Sequence, residues 1–138
     1  SGGLFCYRLA KETQLFAAIG PTKCGMIKGS HEPDSSITPL SVMQVIGNQD
    51  KSFIGSSKRL TMYSAEQRIE IWRSFLKCNP KPSINTKIKG MTIKTYVNDE
   101  GLEVVYCMLH GIGHAIPRQI IPIMDEMIVE FFLRHKKH

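Results

Sequence analysis

Apolar positions along this chain fall into blocks of two kinds, and the two kinds alternate. In the first, they recur with the spacing of one helix face. Leu4, Phe5 and Leu9 mark such a face between Leu4 and Thr13. Ile69, Trp72, Phe75 and Leu76 mark another, behind Ser64-Ala65-Glu66-Gln67, where Ser64 and Gln67 stand at capping-box spacing. That helix is expected to stop before Asn79-Pro80-Lys81-Pro82. Ile120, Met124, Met127, Ile128 and Phe131 predict a last helix from about Gln119 to His135.

The second kind of block is strand-like. Leu15-Phe16-Ala17-Ala18-Ile19 reads as a strand buried on both faces, and Ser41-Val42-Met43-Gln44-Val45-Ile46 as the next one. Met91 to Val97 and Leu102 to Leu109 read as two further strands joined by a turn at Asn98-Asp99-Glu100-Gly101. Gly20 to Pro39, rich in Gly, Ser and Pro, reads as loop. Strand and helix patterns in alternation predict the α/β class, with a mostly parallel sheet flanked by helices. Asp50, behind Gly47-Asn48-Gln49, and His114, inside Gly111-Ile112-Gly113-His114-Ala115-Ile116-Pro117, both fall just past the carboxyl ends of strands. Open α/β sheets bind their ligands at that edge.

Composition narrows the picture only modestly. A length of 138 residues suits one domain with its own core. Hydrophobic content of 42% and charged content of 22% are ordinary for a globular protein. No run of 18 apolar residues is present, so no transmembrane helix and no membrane partner are expected. The net charge of +6 comes from scattered Lys and Arg, apart from the tail Arg134-His135-Lys136-Lys137-His138. That tail closes a helix, where cations suit the dipole, so a solvated helix end is expected rather than a nucleic-acid surface. Cys6, Cys24, Cys78 and Cys107 lack Cys-x-x-Cys spacing, which argues against zinc; no metal is expected. Cys6 and Cys107 lie in apolar segments and read as core thiols.

Several of these segments together resemble the carboxyl-terminal half of the polyhydroxybutyrate depolymerase and feruloyl esterase group of α/β-hydrolases. Gly2-Gly3-Leu4-Phe5-Cys6-Tyr7-Arg8-Leu9-Ala10 is similar to the helix behind that family's Gly-x-Ser-x-Gly-Gly nucleophile motif, and Leu15 to Ile19 to the strand after it. Ile46-Gly47-Asn48-Gln49-Asp50 is similar to its His-Gly-x-x-Asp segment, and Trp72 and Cys78 to a Trp and Cys near a helix end. Gly111 to Pro117 matches its Gly-x-Gly-His-x-x-Pro. The resemblance implies an α/β-hydrolase fold of which residues 1–138 form the carboxyl-terminal part of a single domain. It implies a serine carboxylic-ester hydrolase acting through an acyl-enzyme on an ester or polyester, with no cofactor.

The chemistry explains why those residue types are needed. A serine hydroxyl becomes a nucleophile when an imidazole within hydrogen-bond reach takes its proton. A carboxylate on the other ring nitrogen fixes the tautomer and stabilises the imidazolium. His114 is the expected base and Asp50 its orienting partner, in the chain order Ser, Asp, His. Asp34, in the long loop, and Asp99, in the hairpin turn, are the competing carboxylates. His31 is expected to be a solvated loop residue, and His110 a structural or supporting one.

The nucleophile has two registers. If Gly2-Gly3 matches the family's glycine pair, the serine lies just upstream of Ser1, and the Ser1 backbone N–H is an oxyanion donor. In the other register Ser1 itself is the nucleophile. In both, the earlier strands of the fold would be supplied by an amino-terminal half, without which residues 1–138 are expected to self-associate. Two departures from the family stand out. Ile116 replaces a frequent Trp two residues after the histidine, and Asn98-Asp99-Glu100 offers Cys78 no disulfide partner. The family suggests a secreted or periplasmic protein; a free Cys78 leaves a cytoplasmic one open. A non-catalytic interaction domain retaining hydrolase architecture is the alternative reading, and a basic binding module using the Lys-rich tail a third.

Overall fold

The computed structural model describes residues 2–55 and 61–136. In chain order its elements begin with helix α1 (Gly2–Glu12) and strands β1 (Ala18–Ile19), β2 (Met26–Ile27) and β3 (Ser41–Gly47). A one-turn helix α2 (Lys51–Ile54), strand β4 (Met62–Tyr63) and helix α3 (Ala65–Phe75) follow. Strands β5 (Ser83–Asn85), β6 (Met91–Val97) and β7 (Glu103–Leu109) then lead into helix α4 (Ile121–Arg134).

Five strands form one sheet in the order β1-β3-β7-β6-β5. The first three are parallel, and β6 and β5 add antiparallel pairs beyond β7. The protein is therefore mixed α/β; the sheet has a parallel centre and an antiparallel margin. The margin arises because the turn at Asn98 to Gly101 is too short for a crossover and folds β6 back on β7 as a hairpin. β3 and β7 run in register from Val42↔Val104 to Gly47↔Leu109, so both chains leave the sheet at one level. That shared exit is what positions the site.

All of β3 is buried, and its run from Val42 to Ile46 is apolar but for Gln44. Val42 and Ile46 face a core completed by Tyr7 and Ala10 of α1 and by Ile69 and Trp72 of α3. Met43 and Val45 face the other way, onto Met124 and Phe131 of α4. The Ser64–Gln67 capping box forms as expected, with Gln67 N donating to Ser64 Oγ and Ser64 N to Gln67 Oε1. Trp72 is in the core. Cys78 and all the other cysteines are free thiols, and Cys107 is buried while Cys6 is only half-buried.

Three expectations need correction. Of Leu15 to Ile19, only Ala18 and Ile19 enter the sheet, because β1 pairs with just the first two residues of β3. Leu15 and Phe16 have no strand beside them and are exposed. The inward face of α1 is Gly3, Tyr7 and Ala10 rather than Leu4, Phe5 and Leu9. Gly3 approaches so closely that a Cβ there would stand 2.2 Å from Cys24 Sγ. The stretch from Gly20 to Pro39 is not all loop, since β2 pairs with β4, a partner far along the chain. α2 and the exposed β5 carry no periodicity that would announce them.

Candidate active site

Two loops leave the shared carboxyl edge of β3 and β7 and are tied together before either reaches its candidate residue. Asn48 N donates to Leu109 O and Gln49 N to Ile112 O, each at 3.0 Å. Gly111 N donates to Asn48 Oδ1 at 2.8 Å. Gly47 makes the approach possible: a Cβ on it would lie 2.0 Å from Ile112 O. Gly111 has φ +71°, a left-handed conformation that glycine adopts without steric cost, and it turns the second loop toward the first.

This junction brings Asp50 and His114 together, with His114 Nδ1 at 2.9 Å from Asp50 Oδ2. Asp50 is buried, at 3% exposure, while the His114 side chain is 71% exposed. Asp50 also caps α2: its Oδ1 accepts from Ser52 N at 2.9 Å and from Ser52 Oγ at 2.8 Å. One carboxylate oxygen is thus spoken for by the turn and the other by the imidazole. Burial pushes the Asp50 carboxyl pKa up. The two Ser52 hydrogen bonds and the His114 ring outweigh it and hold the group below the ordinary carboxylate range. An ionised carboxylate on Nδ1 places the ring proton there and leaves Nε2, on the far side of the ring, as the basic nitrogen facing outward.

The first turn of α1 comes to the same edge. Gly3 packs on Cys24, whose neighbour Lys23 donates through its backbone N–H to Val45 O on β3 at 3.1 Å. The first N–H groups of a helix lack intrahelical partners and carry its positive dipole end. Ser1, expected as oxyanion donor or nucleophile, lies outside the described residues. Among the described residues no serine, threonine or cysteine hydrogen-bonds to His114.

The other candidates are elsewhere. Asp34 is an exposed loop carboxylate bound to Ser36, and Asp99 is exposed in the hairpin turn. His110 bonds through Nε2 to Thr92 Oγ1 at 2.7 Å, away from Asp50. His31 is not solvated: it is buried at 5% exposure, accepts Ile27 N through Nδ1 at 3.3 Å and lies against the Tyr7 ring. The β2 ribbon folds over it, which loop composition does not reveal. Burial first, and then the Arg8 charge, lower its pKa. Ile116 is half-buried against the α4-side core and forms no wall beside His114.

A second constellation escaped the sequence reading. Ser41 Oγ lies 3.2 Å from His135 Nδ1, and His135 Nε2 lies 2.7 Å from Glu103 Oε1. The residue types mimic a triad, but Ser41 is fully buried and its Oγ already accepts Glu103 N at 3.0 Å. The cluster sits at the amino ends of β3 and β7, opposite Asp50, and pins the end of α4 to the sheet. Its members lie far apart in sequence, so no local motif announces it. No group of residues suited to hold a metal ion exists among the described residues. No helix among them is long and apolar enough to cross a membrane.

No family model matches the chain, and no curated protein matches it either.

Proposed function

We propose that the chain is the carboxyl-terminal part of an α/β-hydrolase domain and that the protein hydrolyses carboxylic esters or polyesters through an acyl-enzyme. The observation that carries this is the 2.9 Å contact between buried Asp50 and exposed His114 at the carboxyl edge of parallel strands. In the proposed reaction His114 Nε2 takes the proton of the nucleophilic serine as its oxygen attacks the ester carbonyl. The tetrahedral oxyanion is held by backbone N–H groups at the start of α1, including that of Ser1. Collapse breaks the C–O bond, and the imidazolium returns its proton to the departing alkoxide. Water, activated by the same nitrogen, then releases the acid and restores the serine. Asp50 remains ionised throughout and holds the ring. The serine stands immediately before Ser1, or is Ser1 in the alternative register.

The test is a fluorophosphonate probe on the protein that includes the segment before Ser1, with peptide mass mapping, alongside p-nitrophenyl acetate turnover. The expected result is one labelled serine at the start of α1 and turnover that falls about 10³-fold or more in His114→Ala. No label, together with turnover indifferent to His114→Ala, sinks the proposal.

A second reading, a non-catalytic interaction domain, is favoured by one feature. An apolar groove of about 270 Å³, lined by Cys6, Leu9, Phe16, Ile19 and Phe132 among others, opens beside the unpaired edge of β1. In the hydrolase reading the amino-terminal half covers it. The same probe separates the two readings, because a pure interaction domain takes no label.

A further inference from the structure

The turn that aims Asp50 is itself gripped from inside the core. Ser52, whose N–H and hydroxyl both donate to Asp50 Oδ1, offers its carbonyl to Arg68 Nη1 at 2.8 Å. The same nitrogen donates to Tyr63 O at 2.9 Å, and Arg68 Nε donates to Gln44 Oε1 on β3 at 3.1 Å. Tyr7 OH, from α1, donates to that Gln44 oxygen at 3.3 Å. One guanidinium therefore joins α3 to the α2 turn, to β4 and to β3.

Arg68 occupies a position on α3 where the burial stripe of Ala65, Ile69 and Trp72 calls for an apolar side chain, and it is 0% exposed. A guanidinium does not shed its proton, so its burial must be answered by charge or by acceptors. Among the described residues Arg68 forms no ion pair, and its Nη2 has no hydrogen-bond partner. All three of its acceptors are neutral oxygens. The opposite charge nearest along this network is Asp50, reached through Ser52.

We propose that Arg68 is a positioning residue for the Asp50–His114 pair, acting through the carbonyl of Ser52. The proposal rests on the reading of that pair as a base and its orienting carboxylate. The planar fork holds two backbone carbonyls and a side-chain amide at fixed angles, so the α2 turn cannot rotate. Ser52 then keeps Asp50 Oδ1 occupied and Oδ2 turned to His114. Lysine cannot replace Arg68, since an ammonium has no planar fork.

The test follows the pair by NMR in Arg68→Lys, Arg68→Met and Ser52→Ala, with Asp50→Asn used to assign the His114 Nδ1–H proton. In the folded variants the Asp50 carboxyl titration should move upward and the Nδ1–H signal should broaden through faster exchange; Ser52→Ala, which removes a direct hydrogen bond to Asp50 Oδ1, is the positive control for the titration. A merely structural Arg68 would lower the unfolding midpoint and leave both signals where they are. That outcome, in a folded Arg68→Lys or Arg68→Met protein, overturns the proposal. Should Arg68→Met fail to fold, Arg68→Lys carries the test. In the protein with its nucleophile, kcat for p-nitrophenyl acetate should fall about 10- to 100-fold with KM within about twofold. A raised KM at unchanged kcat would also overturn it. If the wild-type protein turns over no ester, the hydrolase reading fails while the two NMR signals still decide the role of Arg68.

Discussion

Replacing Gly47 by alanine tests the junction on which the site depends. A Cβ on Gly47 would stand 2.0 Å from Ile112 O and 2.6 Å from Ile112 C, whereas ordinary contact begins at 3.4 Å. Both are backbone atoms, so no side-chain rotation relieves the clash. The loop behind β7 must retreat by about 1.4 Å, the difference between 3.4 and 2.0 Å. The Gln49 N to Ile112 O bond, now 3.0 Å, would then stretch past about 4 Å and be lost. The bond is worth about 1 kcal/mol and the strain of forcing a methyl into packed structure about 1–3 kcal/mol. Together they predict a destabilisation of about 2–4 kcal/mol. Urea unfolding followed by the fluorescence of Trp72, the chain's one tryptophan, would read it as a lower midpoint at unchanged slope. His114 lies two residues beyond Ile112. A shift of about 1 Å at a reacting group costs on the order of 100-fold in rate, so under the proposed esterase reading ester turnover should fall by that factor. Gly113→Ala is the internal control: the nearest atom to its Cβ is Gln49 O at 3.9 Å, and stability should stay within about 0.5 kcal/mol of wild type. Equal stability of the two variants, or a Gly47→Ala protein with the His114–Asp50 proton signal unchanged, would refute the reasoning.

Three further outcomes are expected. The lowered pKa of His31 means that the unfolded chain binds its proton more readily than the folded one. The stability it contributes is therefore complete above the ordinary imidazole pKa of about 6.5 and is lost as pH falls below it; His31→Gln should flatten the decline in melting temperature between about pH 7 and 5. Asp50 is lowered too, so its contribution is present above the ordinary carboxylate pKa of about 3.9 and is lost as pH falls through the folded value. Asp50→Asn should be less stable near neutrality, and its deficit relative to wild type should shrink in acid, as read by circular dichroism. Phe131, fully buried between α4 and the sheet, should cost about 3–5 kcal/mol when cut to alanine, a loss that thermal unfolding at fixed pH would measure.

Short-range patterns in the chain were legible before any tertiary contact was known. Mostly apolar runs marked β3 and β7, because a strand covered on both faces has no polar side to alternate with. The Ser64 capping box and the apolar stripe of α4 marked helices, because capping and one-sided burial act within a few turns. Asp50 and His114 could be singled out because each follows the end of a strand whose own pattern was legible. The parallel register of β3 with β7, and the Gly47 approach that sets the pair 2.9 Å apart, depend on chain segments more than 60 residues apart and leave no local trace. The same holds for the burial of His31, the Ser41–His135–Glu103 cluster and the placing of Arg68 behind Ser52. Even the inward face of α1 was hidden, since close packing on Cys24 selects Gly3 for smallness rather than hydrophobicity. Pattern records what one segment needs from solvent; which segments meet is decided by the free energy of the whole packed core, and only the tertiary structure displays it.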